Sequence, residues 1–429
     1  MTAQIAIMNK SAIALATDSA VTLGAAKAGG AAKVYQTVEK LFSLPKDHSV
    51  GIMISGNAEF MGVPWETIIK VYRGNLGQQS FARLEDYATH FIRFLEDQNP
   101  LFTEAQEEAH VRRAAQTIFV EHIRTEVDGL MESASESGIK LNKRMISDIV
   151  DRAILPNYQR WKAAPPLQGV PPDHGQSVAE RHAAIFDEAI EDIFEDLPLS
   201  RVSRERLQKI TSYMFSKESF HPDLTSGVVV AGFGEIEPFP SLLEFQVEAT
   251  VNKRLKYAQN ARLQISFETD GCIRPFAQDE MVALFMNGVD PDYQKELEIR
   301  HKELLANYRR RLLATVKPLR GHGTRTLGKQ WERIGNELLN QLNERLEEYR
   351  ATCYAPVMHA VAALPKHDLA VMAEATVSLT SFKRRFSLDM ETVGGPIDVA
   401  VISKGDGFVW VKRKQYASQE LNPHLCGGL

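Results

Sequence analysis

The stretch that most constrains the fold is the amino terminus, MTAQIAIMNKSAIALATDS, where apolar and small residues begin almost at once. Residues 3–8 and 11–18 are predicted strands, and Asn9 and Lys10 between them fit a tight two-residue turn. Neither strand alternates apolar with polar residues, so both faces of this hairpin are expected to be covered. Because a chain terminus normally frays in solvent, a strand that starts here must be held in a sheet.

The remaining pattern alternates between groups of strands and groups of helices. A second hairpin is predicted from residues 39–44 and 50–55, and helical periodicity runs from Asn57 to about residue 215. Antiparallel strands grouped between blocks of helices predict a layered α+β fold. The later predicted strands are SGVVVAGFG, SLLEFQVEATV, ARLQISFE, IDVAVIS and FVWVKRK, and the later predicted helices cover 277–287, two segments within 293–350, and 366–386.

Composition excludes several classes of function. A net charge of −5 disfavours a nucleic-acid binder that works through bulk charge, and no apolar run is long enough to cross a membrane. The start of the chain lacks the features of a signal peptide. Three scattered cysteines predict a reducing compartment, taken here as the cytoplasm, and no structural zinc. The twelve histidines show no HExxH or closely paired spacing, so neither a metal nor a cofactor is predicted.

Strand register predicts which residues meet at the strand ends. With Asn9 and Lys10 as the turn, Met8 faces Ser11 and Thr2 faces Thr17, so Asp18 lies beside the chain start. In the second hairpin Leu44 is expected to face Ser49, which places Lys40 opposite Met53 and Gly56 at the end of the partner strand. A threonine, an aspartate, a lysine and a glycine could therefore converge.

These residues resemble a known family. The segments TAQIAIMNKSAIALATDSAVTLG and VEKLFSLPKDHSVGIMISGNAE are similar to the opening of proteasome β-type subunits and of bacterial HslV-like peptidases. SLDMETVGGPIDVAVISKGDGFVWV resembles the family's final loop and hairpin, and SGVVVAGFGEIEPFPSLLEF resembles its middle strands more loosely. The resemblance covers residues 1–98, 223–290 and 366–413. It implies the four-layer αββα sandwich of the Ntn hydrolases.

The resemblance also implies a catalytic set built around Thr2. Once Met1 is removed, the Thr2 hydroxyl would be the nucleophile and its own α-amine the base. Lys40 would keep that amine unprotonated, Asp18 would orient Lys40, and the Gly56 N–H would face the oxyanion.

Each of these residues also has an ordinary structural interpretation. Thr2 could simply open a strand, and Asp18 could be a turn residue. Lys40 could be a solvated lysine at a strand edge, and Lys33 competes for its role. Gly56 could serve only a strand-to-helix turn, which is compatible with the oxyanion role.

The final loop departs from the family pattern. The family has an Asp, two residues and a Ser directly before two glycines, whereas this chain has Asp389, Thr392 and then an additional Val393. Thr392 can supply the hydroxyl, so Asp389 and Thr392 are predicted to support the site. The family layout also predicts an apolar substrate pocket from Val21, Thr22, Ile54 and Ala58.

The family core is predicted to be divided by helical insertions, at 99–222 and at 291–365, with core segments at 1–98, 223–290 and 366–414 and a tail at 415–429. The predicted function is a threonine-type peptidase acting on peptides or proteins, with assembly into a homo-oligomer. An inactive Ntn-fold scaffold and a small-molecule amidase remain alternatives. No unfoldase partner is identified by the sequence.

Overall fold

The computed structural model describes residues 2–23, 33–45, 48–97, 101–315, 324–386 and 393–414. The chain forms two compact units. Among the described residues, the first contains those up to Thr37, Ile265–Val401 and 410–414, and the second contains those within Val38–Gln264 together with Ile402–Val409. Both combine helices with antiparallel sheet, so the predicted α+β class is confirmed.

Two five-stranded sheets dominate the strand content, in the orders β12-β1-β2-β13-β14 and β11-β10-β9-β6-β5. Two short hairpins, β3-β4 and β7-β8, account for the other strands in the described residues. The strands are β1 Ala3–Asn9, β2 Ile13–Thr17, β3 Val21–Leu23, β4 Lys33–Tyr35, β5 Leu41–Ser43, β6 Val50–Gly56, β7 Glu59–Phe60, β8 Val63–Pro64, β9 Ser226–Gly232, β10 Ser241–Val251, β11 Arg254–Gln264, β12 Gly271–Ala277, β13 Asp398–Ser403 and β14 Gly407–Lys412.

The helices lie between the strand groups. They are α1 Trp65–Leu76, α2 Leu84–Glu96, α3 Glu104–Phe119, α4 Thr125–Glu136, α5 Lys143–Ala163, α6 His174–Arg181, α7 Ala183–Phe194, α8 Arg201–Met214, α9 Glu280–Asn287, α10 Pro291–Thr315, α11 Thr324–Ala363 and α12 Lys366–Phe386. A π-helical turn, Val120–Arg124, joins α3 to α4. No helix among the described residues combines the length and apolarity that a membrane span requires.

The core of the first unit lies between its sheet and α12. Buried residues of α12 recur at helical spacing, which gives the helix one apolar face toward β1 and β2. All seven residues of β1 are buried, so both faces of this sheet are covered, as predicted. The core includes Ile5, Ile7, Ala14, Leu369, Ala373, Val377 and Val399.

The core of the second unit joins its sheet to α1 and α2 and also to α3–α8. Val228 and Val230 of β9, Tyr72 of α1, Phe91 of α2 and Ile154 of α5 belong to one continuous buried cluster. The helices between residues 104 and 214 therefore share a core with this sheet and do not form a separate one.

The predicted register of the first hairpin is wrong by two residues. Met8 pairs with Ile13 and Gln4 with Thr17, because the turn takes four residues and Asn9 N–H donates to the Ala12 carbonyl at 3.0 Å. The Asn9 side chain stabilises this longer turn by accepting the Ser11 N–H at 2.9 Å. A shift of two residues leaves every side chain on its predicted face.

The predicted register of the second hairpin is wrong by one residue. The Leu44 N–H donates to the Val50 carbonyl, and Leu41 pairs with Met53. Lys40 consequently lies opposite Ile54, whose N–H donates to the Lys40 carbonyl at 2.8 Å, and not opposite Met53. The loop between Leu44 and Val50 is one residue longer than the sequence suggested.

Five strands were not predicted, and two of them, β7 and β8, lie just after Asn57, where helical periodicity was expected to begin. β3 and β4 are short, and β12 interrupts its apolar residues with Arg274 and Pro275. β12 lies beside β1, with Ala3 opposite Ala277, so the helix predicted from 277 begins only at Glu280.

Candidate active site

Thr2 lies directly before β1 in the first unit and is buried, with 2% of its surface exposed. The strand that follows is fixed on both sides, since β1 pairs with β2 and with β12. Ala3, the next residue, takes part in the pairing with β12 and also contacts Asp18. The start of the chain is therefore held in a defined position.

Asp18 lies beside this chain start and is fully buried. Its carboxylate accepts the backbone N–H groups of Ala3 at 3.2 Å, Ala20 at 3.3 Å and Gly394 at 3.1 Å. Its own N–H donates to the Ala3 carbonyl at 3.1 Å. One carboxylate thus joins the start of β1, the residues after β2 and the loop before β13, and the predicted proximity of Asp18 to the chain start is confirmed.

A second group of polar residues adjoins Asp18 and was not predicted. The Ser19 hydroxyl donates to the Pro396 carbonyl at 2.7 Å, and Lys414 Nζ donates to the Ser19 hydroxyl oxygen at 2.9 Å. Lys414 also contacts the buried Asp398 carboxylate. The only feature of the sequence that could have indicated this group is the charged Asp398 near the start of the otherwise apolar strand IDVAVIS. This network holds residues 394–398 against the chain that follows Asp18.

The final-loop residues Asp389 and Thr392 lie outside the described residues. The described loop begins at Val393, and its backbone at Gly394 reaches the Asp18 carboxylate. Gly395 has a φ of +77°, and a Cβ there would lie 2.7 Å from the Gln36 carbonyl, so the second glycine of the pair is required by the turn.

Two predicted pocket residues and the alternative lysine also lie in the first unit. Val21 and Thr22 form β3, opposite Tyr35 and Val34 of β4, and Val21 is buried. Lys33 begins β4, opposite Leu23.

Lys40 lies in the second unit, directly before β5, and only 3% of its surface is exposed. A solvated strand-edge lysine, one of the alternatives, does not agree with this burial. The Lys40 carbonyl accepts the N–H of Ile54. Lys40 therefore lies opposite a residue two positions before the end of β6. Ile54 is buried and Ala58 is half-buried.

Gly56 ends β6 in a conformation that only glycine adopts readily. Its φ is +74°, and a Cβ would lie 2.7 Å from the Thr225 carbonyl. The following residue, Asn57, donates its N–H to that same carbonyl at 3.1 Å. The adjoining Ser226 accepts the Trp65 indole N–H and donates to the Asn57 carbonyl, each at 2.9 Å. Gly56 is therefore set in a hydrogen-bonded turn.

The structure thus brings Thr2 together with Asp18 in one unit, and Lys40 together with Ile54 and Gly56 in the other. A scan with protein-family models and a search of curated proteins found nothing that matches this chain.

A buried charge cluster in the second unit was also not predicted. Lys256 Nζ lies 2.7 Å from the Glu248 carboxylate, and both side chains are almost wholly buried. Burial lowers the pKa of Lys256, and Glu248 opposes this only in part. Burial raises the pKa of Glu248, but attraction to Lys256 and to His110, whose Nε2 lies 3.9 Å from the carboxylate, outweighs it, so the net pKa is lowered. Glu248 is therefore an anion at neutral pH.

The aromatic residues around Lys256 complete this cluster. The rings of Trp161, Phe215 and Phe220 lie 5.1–5.9 Å from its ammonium group, within the range of cation–π attraction. The cluster connects β10 and β11 with α5 and the chain after α8. Its paired, enclosed groups indicate a structural role.

Proposed function

We propose that this chain is a proteasome-like N-terminal-threonine hydrolase that cleaves peptide or amide bonds through Thr2. The observation that carries the proposal is a hydrogen bond at the chain start. The Asp18 carboxylate accepts the N–H of Ala3, the residue after the proposed nucleophile. A nucleophile that uses its own α-amine as base needs that amine at a fixed position relative to the hydroxyl.

The proposed reaction begins with removal of Met1, which a residue as small as threonine permits. The freed amine has an ordinary pKa of about 7.7–8.0 and can accept the hydroxyl proton near neutral pH. The Thr2 oxygen adds to the substrate carbonyl carbon, and the Gly56 N–H stabilises the oxyanion. The amine then passes the proton to the leaving nitrogen, which departs as an amine. Water hydrolyses the remaining ester on Thr2 by the same steps.

Lys40 and Asp18 have supporting roles in this proposal. A cationic Lys40 near the amine would disfavour protonation of the amine, and Asp18 would keep Lys40 charged and oriented. Burial of Lys40 supports the proposal, because a lysine is rarely buried unless it is paired.

The αββα sandwich of the Ntn hydrolases is part of the same proposal. Two observations support it: each five-stranded sheet packs helices of its own unit, and the strands at the centre of each sheet are buried on both faces. In this layout Val21, Thr22, Ile54 and Ala58 would line a pocket that accepts an apolar side chain before the scissile bond.

The test is hydrolysis of a panel of fluorogenic peptides with an apolar residue before the reporter group, beside a panel of small acyl amides. Thr2→Ala should lower the rate by at least about a thousandfold, because it removes the nucleophile. Thr250→Ala, which changes a buried threonine on β10 remote from the chain start in sequence, is the matched control and should retain activity. Equal activity of Thr2→Ala and the original chain would contradict the proposal. Cleavage of acyl amides alone would favour the amidase.

The second candidate function is assembly, as a scaffold or as an oligomeric enzyme. It is favoured by the hairpin of α10 and α11, whose large apolar side chains are exposed: Leu304 by 65%, Tyr308 by 61% and Leu338 by 53%. An apolar cavity of about 530 Å³ opens between the two helices. Its walls include Leu305, Leu312, Trp331, Ile334, Leu338 and Leu339.

The partner that fits this hairpin is a second copy of the chain in antiparallel orientation. Basic residues outnumber acidic ones near the end of α10 and the start of α11, whereas acidic residues moderately outnumber basic ones at the other end, where Glu296 pairs with Arg300 and Glu347 with Arg350. Two helices alone leave the apolar side chains of α10 and α11 partly exposed, whereas four helices in a bundle bury them in a shared core. An antiparallel pair would place each basic end against an acidic one. The basic residues are Arg309, Arg310, Arg311, Lys329 and Arg333, and the acidic ones are Glu296, Glu298, Glu344, Glu347 and Glu348.

A further inference from the structure

Glu121, His221 and Asp223 form a cluster in the second unit, away from the residues proposed for catalysis. A ring nitrogen of His221 and one oxygen from each carboxylate all lie within 4.8 Å of one another. His221 Nε2 is 3.1 Å from the Glu121 carboxylate. The histidine is buried, with 8% of its side chain exposed, whereas both carboxylates reach solvent. An ion could therefore enter from solvent and meet a fixed nitrogen.

Comparison with two other histidine–glutamate pairs shows what is unusual here. Glu107, which lies 3.0 Å from His182, is also 3.7 Å from the Arg181 guanidinium. Glu248, near His110, is paired with Lys256. In the part of the chain that the structure describes, neither Glu121 nor Asp223 has a lysine or arginine at ion-pair distance. The cluster therefore brings together two carboxylates with no lysine or arginine at ion-pair distance among the described residues, and a bound cation would attract both.

The local backbone fixes these groups in place. Glu121 and His122 lie on the π-helical turn, a rare local structure that is frequent at functional sites. The Asn157 amide donates to the His122 carbonyl at 2.9 Å, and the Thr125 hydroxyl donates to the Val120 carbonyl at 2.9 Å. These two bonds satisfy carbonyl groups within the turn and hold Glu121 toward His221.

The His221 ring is fixed in the same way. Its Nδ1 accepts the Asp223 N–H at 3.3 Å, and the His122 ring packs against it edge to face with 5.0 Å between centroids. The Thr225 hydroxyl donates to the His221 carbonyl at 2.8 Å. With Nδ1 as an acceptor, the ring proton lies on Nε2, which donates to the Glu121 carboxylate. An ion that binds Nε2 takes the place of that proton, which moves to Nδ1, and the contact of Nδ1 with the Asp223 N–H is lost.

We propose that Glu121, His221 and Asp223 bind a divalent transition-metal ion, for which Zn²⁺ is the best match. Imidazole nitrogen and carboxylate oxygen are both zinc ligands, and open zinc sites have three protein ligands with water in the remaining position. Mg²⁺ and Ca²⁺ prefer oxygen ligands alone, so the imidazole selects against them. The sequence did not predict this site because its ligands are about a hundred residues apart and follow no known spacing.

Metal binding would have a consequence for the turn at Gly56, and this consequence rests on the proposed function. The segment from His221 to Thr225 carries two ligands and ends at the carbonyl that accepts the Asn57 N–H. A bound ion would stiffen this segment and, through it, the strand end that offers the proposed oxyanion N–H. Hydrogen exchange at Asn57 should slow when Zn²⁺ is added, whether or not the chain is a hydrolase.

The test is calorimetric titration of the full chain, first treated with a chelator, with ZnCl₂. We expect about one Zn²⁺ per chain, with a Kd of about 1 μM or tighter. His221→Ala should weaken binding by more than about 100-fold, and the conservative surface change Glu121→Gln by at least about tenfold. His182→Gln is the matched control, since it disrupts a similar histidine–glutamate pair and should leave the affinity unchanged. MgCl₂ should produce no binding heat.

Two results would overturn the proposal: no saturable Zn²⁺ binding by the full chain, or equal affinities of the original chain, His221→Ala and Glu121→Gln. Because His221 is buried, circular dichroism checks that its variant folds, and Glu121→Gln keeps the test decisive if it does not. Thr2→Ala should bind Zn²⁺ like the original chain, so failure of the metal site and failure of the hydrolase proposal are measured separately.

Discussion

Asp18 is the residue that connects the start of the chain with the segments that must stay near it. Its two oxygens accept three backbone N–H groups that come from three different places in the sequence. A buried N–H that loses its acceptor destabilises the fold, because the hydrogen bond it made to water in the unfolded chain is no longer replaced by one within the protein. Position 18 therefore contributes to stability even if the chain has no catalytic activity.

Asp18→Asn should lower the free energy of unfolding by about 1–3 kcal/mol, because the new amide directs N–H groups at backbone N–H groups. Urea denaturation followed by circular dichroism measures the change. Asp270→Asn is the control, since Asp270 forms an exposed pair with Lys10 worth about 1 kcal/mol or less. Equal unfolding midpoints for the two variants would show that the Asp18 bonds contribute little.

The sequence was sufficient to predict that Asp18 adjoins the chain start, although the predicted register was wrong. This prediction needed only the hairpin, which brings the outer ends of its two strands together. The four-residue turn at Asn9 shifts the strand pairing by two positions, so every side chain stays on the same face of the sheet. Lys414 and Asp398 could not be predicted in the same way. Their contact joins a terminal residue of the described chain to a strand start, and no local pattern indicates such a pairing.

At the scale of elements, the pair of Lys256 and Glu248 joins β10 and β11 to the helices packed on them. Removing one member of a buried ion pair leaves the other charge without compensation, which is strongly destabilising. Replacing both members with apolar groups avoids that cost. The pair therefore contributes to stability only as a unit.

Lys256→Met should cost about 3–5 kcal/mol in the free energy of unfolding, and Lys256→Met combined with Glu248→Leu should recover much of that loss. A double-mutant cycle by chemical denaturation measures the coupling. Additive effects of the two single changes would contradict the account of a coupled buried pair.

Acid titration gives a second readout of the same pair. The folded-state pKa of Glu248 lies below its ordinary value of 4.5, so its stabilising effect is complete above that pH. The effect is lost as pH falls through the lower folded pKa, because the unfolded chain then binds more protons. Glu248→Gln should flatten the decline in unfolding free energy below pH 4.5. If the unfolding free energy of Glu248→Gln falls below pH 4.5 as steeply as that of the original chain, other groups cause the acid sensitivity.

Some long periodic elements were predicted well and short ones poorly. Two long elements were predicted with wrong bounds: β11 was expected at 261–268 and spans Arg254–Gln264, and α11, expected to end by residue 350, continues to Ala363. The pattern of Leu369 through Phe386 predicted α12 with its bounds, and SLLEFQVEATV corresponds to β10 without change. β12 was missed because Arg274 and Pro275 interrupt its pattern; its place beside β1 depends on tertiary pairing. Lys256 was missed because burial of a charge depends on Glu248 and three aromatic rings that lie apart from it in sequence.

At the scale of the whole molecule, the hairpin of α10 and α11 exposes a row of large apolar side chains to solvent. Its apolar residues continue along both helices, and the Arg309–Glu332 ion pair at 3.1 Å joins the helices near their turn. Contiguous exposed apolar surface on a folded protein commonly marks an interaction site. Self-association of the hairpin would bury it.

The chain should be a dimer or larger assembly at micromolar concentration, and Ile334→Lys combined with Leu338→Lys should shift it toward the monomer. Light scattering after size exclusion measures the mass. Val202→Lys, which changes an equally exposed apolar residue on α8, should leave the assembly intact. Higher salt should weaken association, because the proposed contact pairs basic and acidic ends. A concentration-independent monomer would contradict the proposed self-association.

The proposed hydrolase activity depends on cleavage of one peptide bond, between Met1 and Thr2. The most direct test is the intact mass of the purified chain before and after reaction with an electrophile that requires both a hydroxyl and a free amine on the same residue. We expect a chain that lacks Met1 and gains one adduct, located on Thr2 by peptide mapping and absent from Thr2→Ala. A chain that retains Met1 completely and gains no adduct would contradict it.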